Sequence, residues 1–210
     1  MTPEQVDKLP FNEFIDYVKA VKTMQNSTVE INDKMKFELK QVQDGLKELE
    51  PVRIIKNVVV ISPWSHKLPN GKQNPKNFPY WEELVEDLKK SGCYIIQIGV
   101  AGEQLLAVDE IVLNASYERL ETLLKESDTF ISVDSFFPHF AHYHGKHGIV
   151  IFSQSDPNLF GYSENVNILK SRDYLRKEQF WLWTQAEYNK AAFVSSKDVL
   201  IKVLETLKLQ

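Results

Sequence analysis

The sequence predicts an α/β protein built on a doubly wound, largely parallel sheet of about five or six strands, with an N-terminal helical hairpin attached. Three observations lead there. Apolar, mostly β-branched runs recur at 57–62 (NVVVIS), 93–99 (CYIIQIG), 129–133 (TFISV) and 149–152 (IVIF), as strands buried on both faces of a parallel sheet require. Between them lie segments with apolar residues at three- and four-residue spacing, the period of helices that cover such a sheet. The first fifty residues, by contrast, hold no strand-like run.

Taken in order, residues 1–52 read as the appendage and 53–210 as the main domain. Phe11, Phe14, Ile15, Val18 and Val21 line one helix; Met35, Leu39, Val42, Leu46 and Leu49 line a second, which Pro51 ends. The pair packs on the main domain, or docks a partner subunit or a second copy. After the strand at 57–62 comes a Pro-, Asn-, Gly- and Lys-rich connection, PWSHKLPNGKQNPKNFPYW. Irregular loops of about 16 residues are uncommon in compact domains unless used, so this one is a candidate active-site loop. Trp64 and Trp81 flank it, where one could stack on a base or sugar.

Pro79 opens a helix through Lys90, and Ser91-Gly92 closes it. After the strand at 93–99, residues 103–109 read as a short helix and 110–113 as a short strand. Residues 117–127 form a clearer helix with Leu120, Leu123 and Leu124 facing inward. A further strand is expected at 166–169, then an aromatic, mixed-charge region at 174–188, in which Phe180, Trp181, Leu182 and Trp183 read as packing. A last helix covers 196–207.

The stretch 129–161 organises the rest. An apolar run ends at Asp134-Ser135, a helical segment follows, and Gly145 and Gly148 bracket a turn into the next apolar run. Such a strand, helix, strand unit needs a parallel pair of strands. Asp134 and Ser135 are both good N-cap types, and the N–H groups behind them point into the crevice where open parallel sheets bind ligands. A phosphate fits there.

Composition narrows the partners. With a net charge of −4 and a pI of about 5.8, the chain has no global basic field for nucleic acid. The single cysteine, Cys93, starts an apolar run and reads as a buried thiol in a reducing compartment. No run approaches the ~18 apolar residues of a membrane span, and the N-terminus lacks a signal-peptide pattern, so the expected location is cytoplasmic. His139, His142, His144 and His147 invite a metal hypothesis. No cysteine accompanies them and Asp134 is the one nearby carboxylate, so they read as exposed or capping histidines, and no metal is expected.

Read from 57 to 167, four segments share an order with a known family: ISPWS followed by PKNFPYWEELVEDLKKSG; YIIQIGVAGEQ; SYERLETLLKESDTFISVDSFFPHFAHYHGKHGIVIF; and SQSDPNLFGY. Together they resemble the nucleotide-binding half of glycosyltransferase family 9, the ADP-heptose:lipopolysaccharide heptosyltransferases, which have the GT-B fold. The resemblance implies a single Rossmann-like half of that fold, with jobs for matching positions. Lys76 would contact the nucleotide diphosphate, Glu103 would hydrogen-bond the ribose, and Ser65 would approach the phosphates. Asp134, Ser135, Phe136 and His139 would form the phosphate and donor-sugar edge. A carboxylate repels phosphate, so Asp134 is expected to cap the helix or hold sugar hydroxyls.

Two departures accompany the resemblance. Phe136 stands where the family has glycine, and only residues 1–56 precede the first strand where a GT-B enzyme has an α/β acceptor domain. The catalytic base is then relocated, supplied by another chain, or absent; Asp134, His139 and His66 are the in-chain candidates. The expectation is a glycosyltransferase-like protein that binds a nucleotide-diphosphate sugar, without a further cofactor, and passes the sugar to a saccharide, protein or modified-DNA acceptor. The alternatives are a non-catalytic nucleotide-sugar-binding or regulatory module, one subunit of a split enzyme, and a phage-type DNA-base glycosyltransferase.

Overall fold

A computed structural model describes residues 57–181 and 183–208. The expected hairpin and the boundary at residue 52 lie outside the described residues. In chain order the elements are β1 (Val58–Ser62), α1 (Trp81–Lys90), β2 (Tyr94–Gly99), β3 (Glu110–Leu113), α2 (Tyr117–Glu126) and β4 (Thr129–Val133). There follow α3 (Phe136–Tyr143), β5 (Ile149–Phe152), a one-turn α4 (Pro157–Phe160), β6 (Val166–Leu169) and, after three 3₁₀ turns, α5 (Ser196–Lys208). The six strands form one sheet in the order β3-β2-β1-β4-β5-β6, and every pairing is parallel.

The four inner strands, β1, β2, β4 and β5, are buried at consecutive positions because their alternate side chains feed two different cores. Val59 and Ile61 of β1, Ile131 and Val133 of β4, and Ile149 and Ile151 of β5 meet α1 and α5 on one face. Val60, Ile96, Ile98, Phe130, Val150 and Phe152 meet α2 and α3 on the other. Fully burying a side chain of this size contributes about 1.5–3 kcal/mol, so the paired cores hold both helix layers to the sheet.

Helix α1 buries Trp81, Leu84, Val85 and Leu88, one stripe at three- and four-residue spacing, with Glu82 and Glu83 in its first turn and Lys89 and Lys90 in its last. Those charges complement the helix dipole. Helix α3 ends in a left-handed turn at Gly145 (φ 69°). There Lys146 N–H donates to the Ala141 carbonyl and Gly145 N–H to the His142 carbonyl, each at 2.9 Å, the two bonds of a Schellman closure.

At the start of β5 the backbone runs against β4 so closely that a β-carbon on Gly148 would lie 2.6 Å from the Phe130 carbonyl oxygen and 2.5 Å from its ring. A backbone oxygen cannot swing aside. Gly148→Ala is therefore expected to cost about 1–3 kcal/mol through overpacking, read as a lowered urea midpoint with an unchanged slope.

Residues 103–109, expected to be a short helix, are irregular. The buried Gln97 of β2 takes the backbone groups a helix would use: its amide donates to the Gln104 carbonyl (2.9 Å) and its side-chain oxygen accepts from Leu106 N–H (2.9 Å). Cys93 is buried, as expected, and burial, with Asp128 adding to it, pushes its thiol above the ordinary range.

Candidate functional site

The strand order places β1 between β2 and β4. The chain winds from β1 toward one edge and returns at β4 toward the other, so the carboxyl ends of β1 and β4 flank the switch point where such sheets bind ligands. The loop after β1 arches over this edge in a fixed shape. Ser65 N–H donates to the Asn77 side-chain oxygen (2.8 Å), and the buried Asn74 amide donates to the Ser65 hydroxyl (3.2 Å) and the His66 carbonyl (2.7 Å). Asn74 also accepts from Lys76 N–H (3.0 Å), and Ser153, just past β5, donates its hydroxyl to the Pro75 carbonyl (2.8 Å).

This loop delivers Lys76 to Asp134. The Lys76 Nζ lies 2.7 Å from Asp134 Oδ2, with the lysine side chain 19% and the aspartate side chain 5% exposed. Asp134 therefore does not cap α3. The N-cap is Ser135, whose own side chain makes no capping bond; its hydroxyl lies 3.4 Å from that of Ser132. The first turn of α3 thus presents backbone N–H groups beside a fixed ammonium, the two features an anion requires.

The remaining expected residues are placed differently. Glu103 stands at the end of β2, where its carboxylate accepts from Val100 N–H (3.0 Å) and folds over Gly99, at which a β-carbon would come within 2.3 Å of that oxygen. It holds its own turn rather than meeting Lys76 or Asp134. Trp64 couples the two loops, donating from Nε1 to the Gln104 carbonyl (2.8 Å). Phe136 is 54% exposed and packs with Tyr117 and Phe140, ring centroids 6.1 and 5.5 Å away. His66 is exposed.

His139 hydrogen-bonds through Nδ1 to the Tyr162 hydroxyl (2.9 Å). His142 stacks on the same Tyr162 ring at 3.7 Å and pairs with Glu164, while His144 faces Glu121 at 3.6 Å. The histidines thus find carboxylate and aromatic partners. Among the described residues, no three His, Cys, Asp or Glu side chains come together to hold a metal ion.

Two expectations about aromatics are corrected. Trp81 is 2% exposed and belongs to the core, so it offers no face to a base or sugar. Conversely, Trp181 is exposed rather than packed, and Phe180, also largely exposed, meets the Phe160 ring edge-on at 5.5 Å. Trp183 is half-buried and lies against the site itself, with Lys76 Nζ 4.5 Å and the Arg176 guanidinium 4.4 Å from its ring centroid. Arg176 does not stand out in the sequence, and Trp183 stands out only as one of an aromatic run, because both lie in a stretch without periodicity.

A wholly parallel, doubly wound sheet with Lys76, Asp134 and the first turn of α3 at its switch point defines a Rossmann-like fold. Comparison with solved structures makes that fold heptosyltransferase-like. It is similar to ADP-heptose LPS heptosyltransferase II of E. coli (TM-score 0.56, 12% identity, covering 86% of this chain and 53% of that one). It is also similar to a family 9 glycosyltransferase from Veillonella parvula (0.53, 14% identity, 86% and 53%) and to E. coli heptosyltransferase WaaC with ADP (0.51, 18% identity, 79% and 49%). The chain spans about half the length of these structures. No family model matches it, and no curated protein matches its sequence.

Proposed function

We propose that this chain is a glycosyltransferase-like protein, the nucleotide-binding half of a GT-B arrangement, that holds a nucleoside-diphosphate sugar at the β1/β4 crevice and transfers the sugar to an acceptor hydroxyl. The observation that carries this reading is the Lys76 ammonium fixed 2.7 Å from Asp134 at the start of an α3 that no side chain caps. Displacement at the anomeric carbon breaks the bond to the diphosphate, and negative charge builds on the departing oxygen. A fixed cation and backbone N–H groups stabilise that charge without reorganising.

In this reading Ser65 approaches the phosphates from the loop, Glu103 accepts from the ribose hydroxyls, and Asp134, Ser135, Phe136 and His139 border the sugar. The likeness to structures such as E. coli WaaC with ADP supports a nucleotide donor. Among the described residues no helix is long and apolar enough to cross a membrane, and the proposal places the protein in the cytoplasm. Oligomerisation through the N-terminal residues belongs to the same proposal.

One observation favours a second reading. Two in-chain candidates for the base are engaged, Asp134 by Lys76 and His139 by Tyr162. That suits a module that binds the donor without turning it over, or one subunit of a split enzyme.

Calorimetry of the full chain with ADP- and UDP-sugars, followed by an assay for nucleoside diphosphate release, separates the readings. Binding with release supports transfer. Binding without release under any saccharide, protein or DNA acceptor selects the module, and no binding sinks both.

A further inference from the structure

Phe136 and Tyr117 each stand at the first position of a helix, α3 and α2, and each helix follows a strand of the wholly parallel sheet. Both helix starts therefore lie at the carboxyl edge, the edge that carries Lys76 and Asp134. There the two rings meet over Phe140. Phe136 and Phe140 lie 5.5 Å apart at 34°, Tyr117 and Phe140 stack at 6.0 Å and 27°, and Tyr117 and Phe136 lie 6.1 Å apart at 49°. Phe140 packs against the core below, whereas Phe136 keeps 54% and Tyr117 68% of its surface in water. Adjoining apolar rings left in water favour whatever flat, apolar surface covers them.

From this arrangement we propose that Phe136, Tyr117 and Phe140 form a stacking shelf for the base of the nucleoside diphosphate, which they hold by its π face and not by base-specific hydrogen bonds. The proposal rests on the donor-binding reading above, and it gives the Phe136 ring to the base where that reading set it beside the sugar.

The surroundings of the shelf select the base as its occupant. Phe136 directly follows Ser135, the N-cap of α3, so a single residue offers its N–H to the diphosphate and its ring to the shelf. On the other side, Asn114, three residues before Tyr117 and in the left-handed region (φ 52°), accepts from Ala101 N–H (3.2 Å) and ties the start of α2 to the turn of Glu103. A ligand with its diphosphate at the start of α3 and its ribose at Glu103 brings its nucleoside end to this part of the edge.

Chemistry separates the base from the sugar. The three rings carry one polar group between them, the Tyr117 hydroxyl, which suits the face of a base and not a ring of sugar hydroxyls. The first cation of α2, Arg119, is turned to Glu110 (3.5 Å). Of the tryptophans expected to stack on a ligand, Trp81 belongs to the core, and Trp64 packs against that core and commits its N–H to Gln104. Stacking tolerates every base, because each has a π face, and strengthens with the size of that face.

The test uses the full chain, calorimetry and three probes, ADP, UDP and inorganic pyrophosphate. The wild-type chain is expected to bind ADP about ten- to a hundredfold more tightly than pyrophosphate, the gain from stacking one base, and UDP within about tenfold of ADP. Phe136→Leu combined with Tyr117→Leu is expected to bring ADP down to the level of pyrophosphate, whereas Tyr117→Phe, which keeps the ring, retains wild-type affinity. The adenine ring protons of ADP are expected to move upfield in the NMR spectrum on binding to wild-type protein, the ring-current signature of a stacked base. That measurement needs no variant to fold.

Wild-type ADP affinity in the folded double variant, absence of the upfield shift, or binding of ADP while UDP is refused overturns the shelf and leaves the donor reading standing. Equal loss of ADP and pyrophosphate in the folded double variant assigns the rings to bracing α3 and also overturns the shelf. So does self-association of the wild-type chain that the double variant abolishes with ADP affinity unchanged, because the rings are then a face between copies. Ring-dependent binding of ADP without binding of any nucleotide sugar supports the shelf and overturns the donor reading. No binding of any of the three probes overturns both.

Discussion

Lys76→Met is expected to lower affinity for nucleoside diphosphates by at least about tenfold, and more where the ammonium bonds two phosphate oxygens. The same change is expected to destabilise the fold by about 2–4 kcal/mol. Its partner Asp134 is 5% exposed, and an uncompensated buried carboxylate is costly. The lower part of the usual range for such pairs applies because the Lys76 side chain keeps 19% of its surface in water. Asp134→Asn leaves instead an ammonium that can reach solvent, so it is expected to cost about 1 kcal/mol.

The two variants therefore part in opposite directions on binding. Asp134→Asn releases Lys76 from its carboxylate and is expected to strengthen pyrophosphate binding, whereas Lys76→Met weakens it. The double variant should be about as stable as Asp134→Asn alone, because a neutral amide no longer needs the ammonium. Calorimetry and urea titration on the same four proteins check both results. Equal loss of affinity in Lys76→Met and Asp134→Asn would falsify the view that the pair competes with the ligand for Lys76.

How far such a site can be read from sequence depends on the range of the contacts that make it. Strands β4 (Thr129–Val133) and β5 (Ile149–Phe152) fall where the apolar runs place them, because burial on both faces imposes a nearly continuous apolar pattern, and the half-buried edge strand β6 (Val166–Leu169) also falls where it is expected. Lys76 and Asp134 are separately visible as candidates. That they form one ion pair is not visible, since 58 positions separate them and only the β1/β4 neighbourhood, with its asparagine-pinned loop, joins them. Residues 103–109 were misleading for a related reason: Gln97, on a neighbouring strand, diverts the backbone bonds of a plausible helix. Arg176 and Trp183 carry no periodic signal, and their meaning comes from ties to Gln154, Gln179 and Lys76.

Trp81→Ala is expected to be among the most destabilising single changes in the described residues, at about 3–5 kcal/mol. Trp81 opens α1 and is 2% exposed; its ring meets Phe78 edge-on at 5.5 Å, and Phe78 in turn meets Tyr80 at 5.5 Å and Phe193 at 5.9 Å. Truncation opens a cavity where α1 joins the sheet, which the surrounding strands cannot collapse to fill. Against a total stability of about 5–15 kcal/mol, the loss lowers the melting temperature by roughly 10 °C or more.

Trp81→Phe isolates a different role. It keeps most of the ring contact but deletes the 3.1 Å bond from Nε1 to the Pro63 carbonyl, at an expected cost of about 1–2 kcal/mol. Pro63 begins the loop that carries Ser65 and Lys76, so the bond fixes where that loop leaves β1. If the anchor matters to the site, Trp81→Phe weakens pyrophosphate binding several-fold at a temperature where the protein remains fully folded. Unchanged binding would place the loop's rigidity in its other ties, among them the four bonds of Asn74 and Asn77 at 2.7–3.2 Å and the Ser153 bond to Pro75, which are independent of the tryptophan.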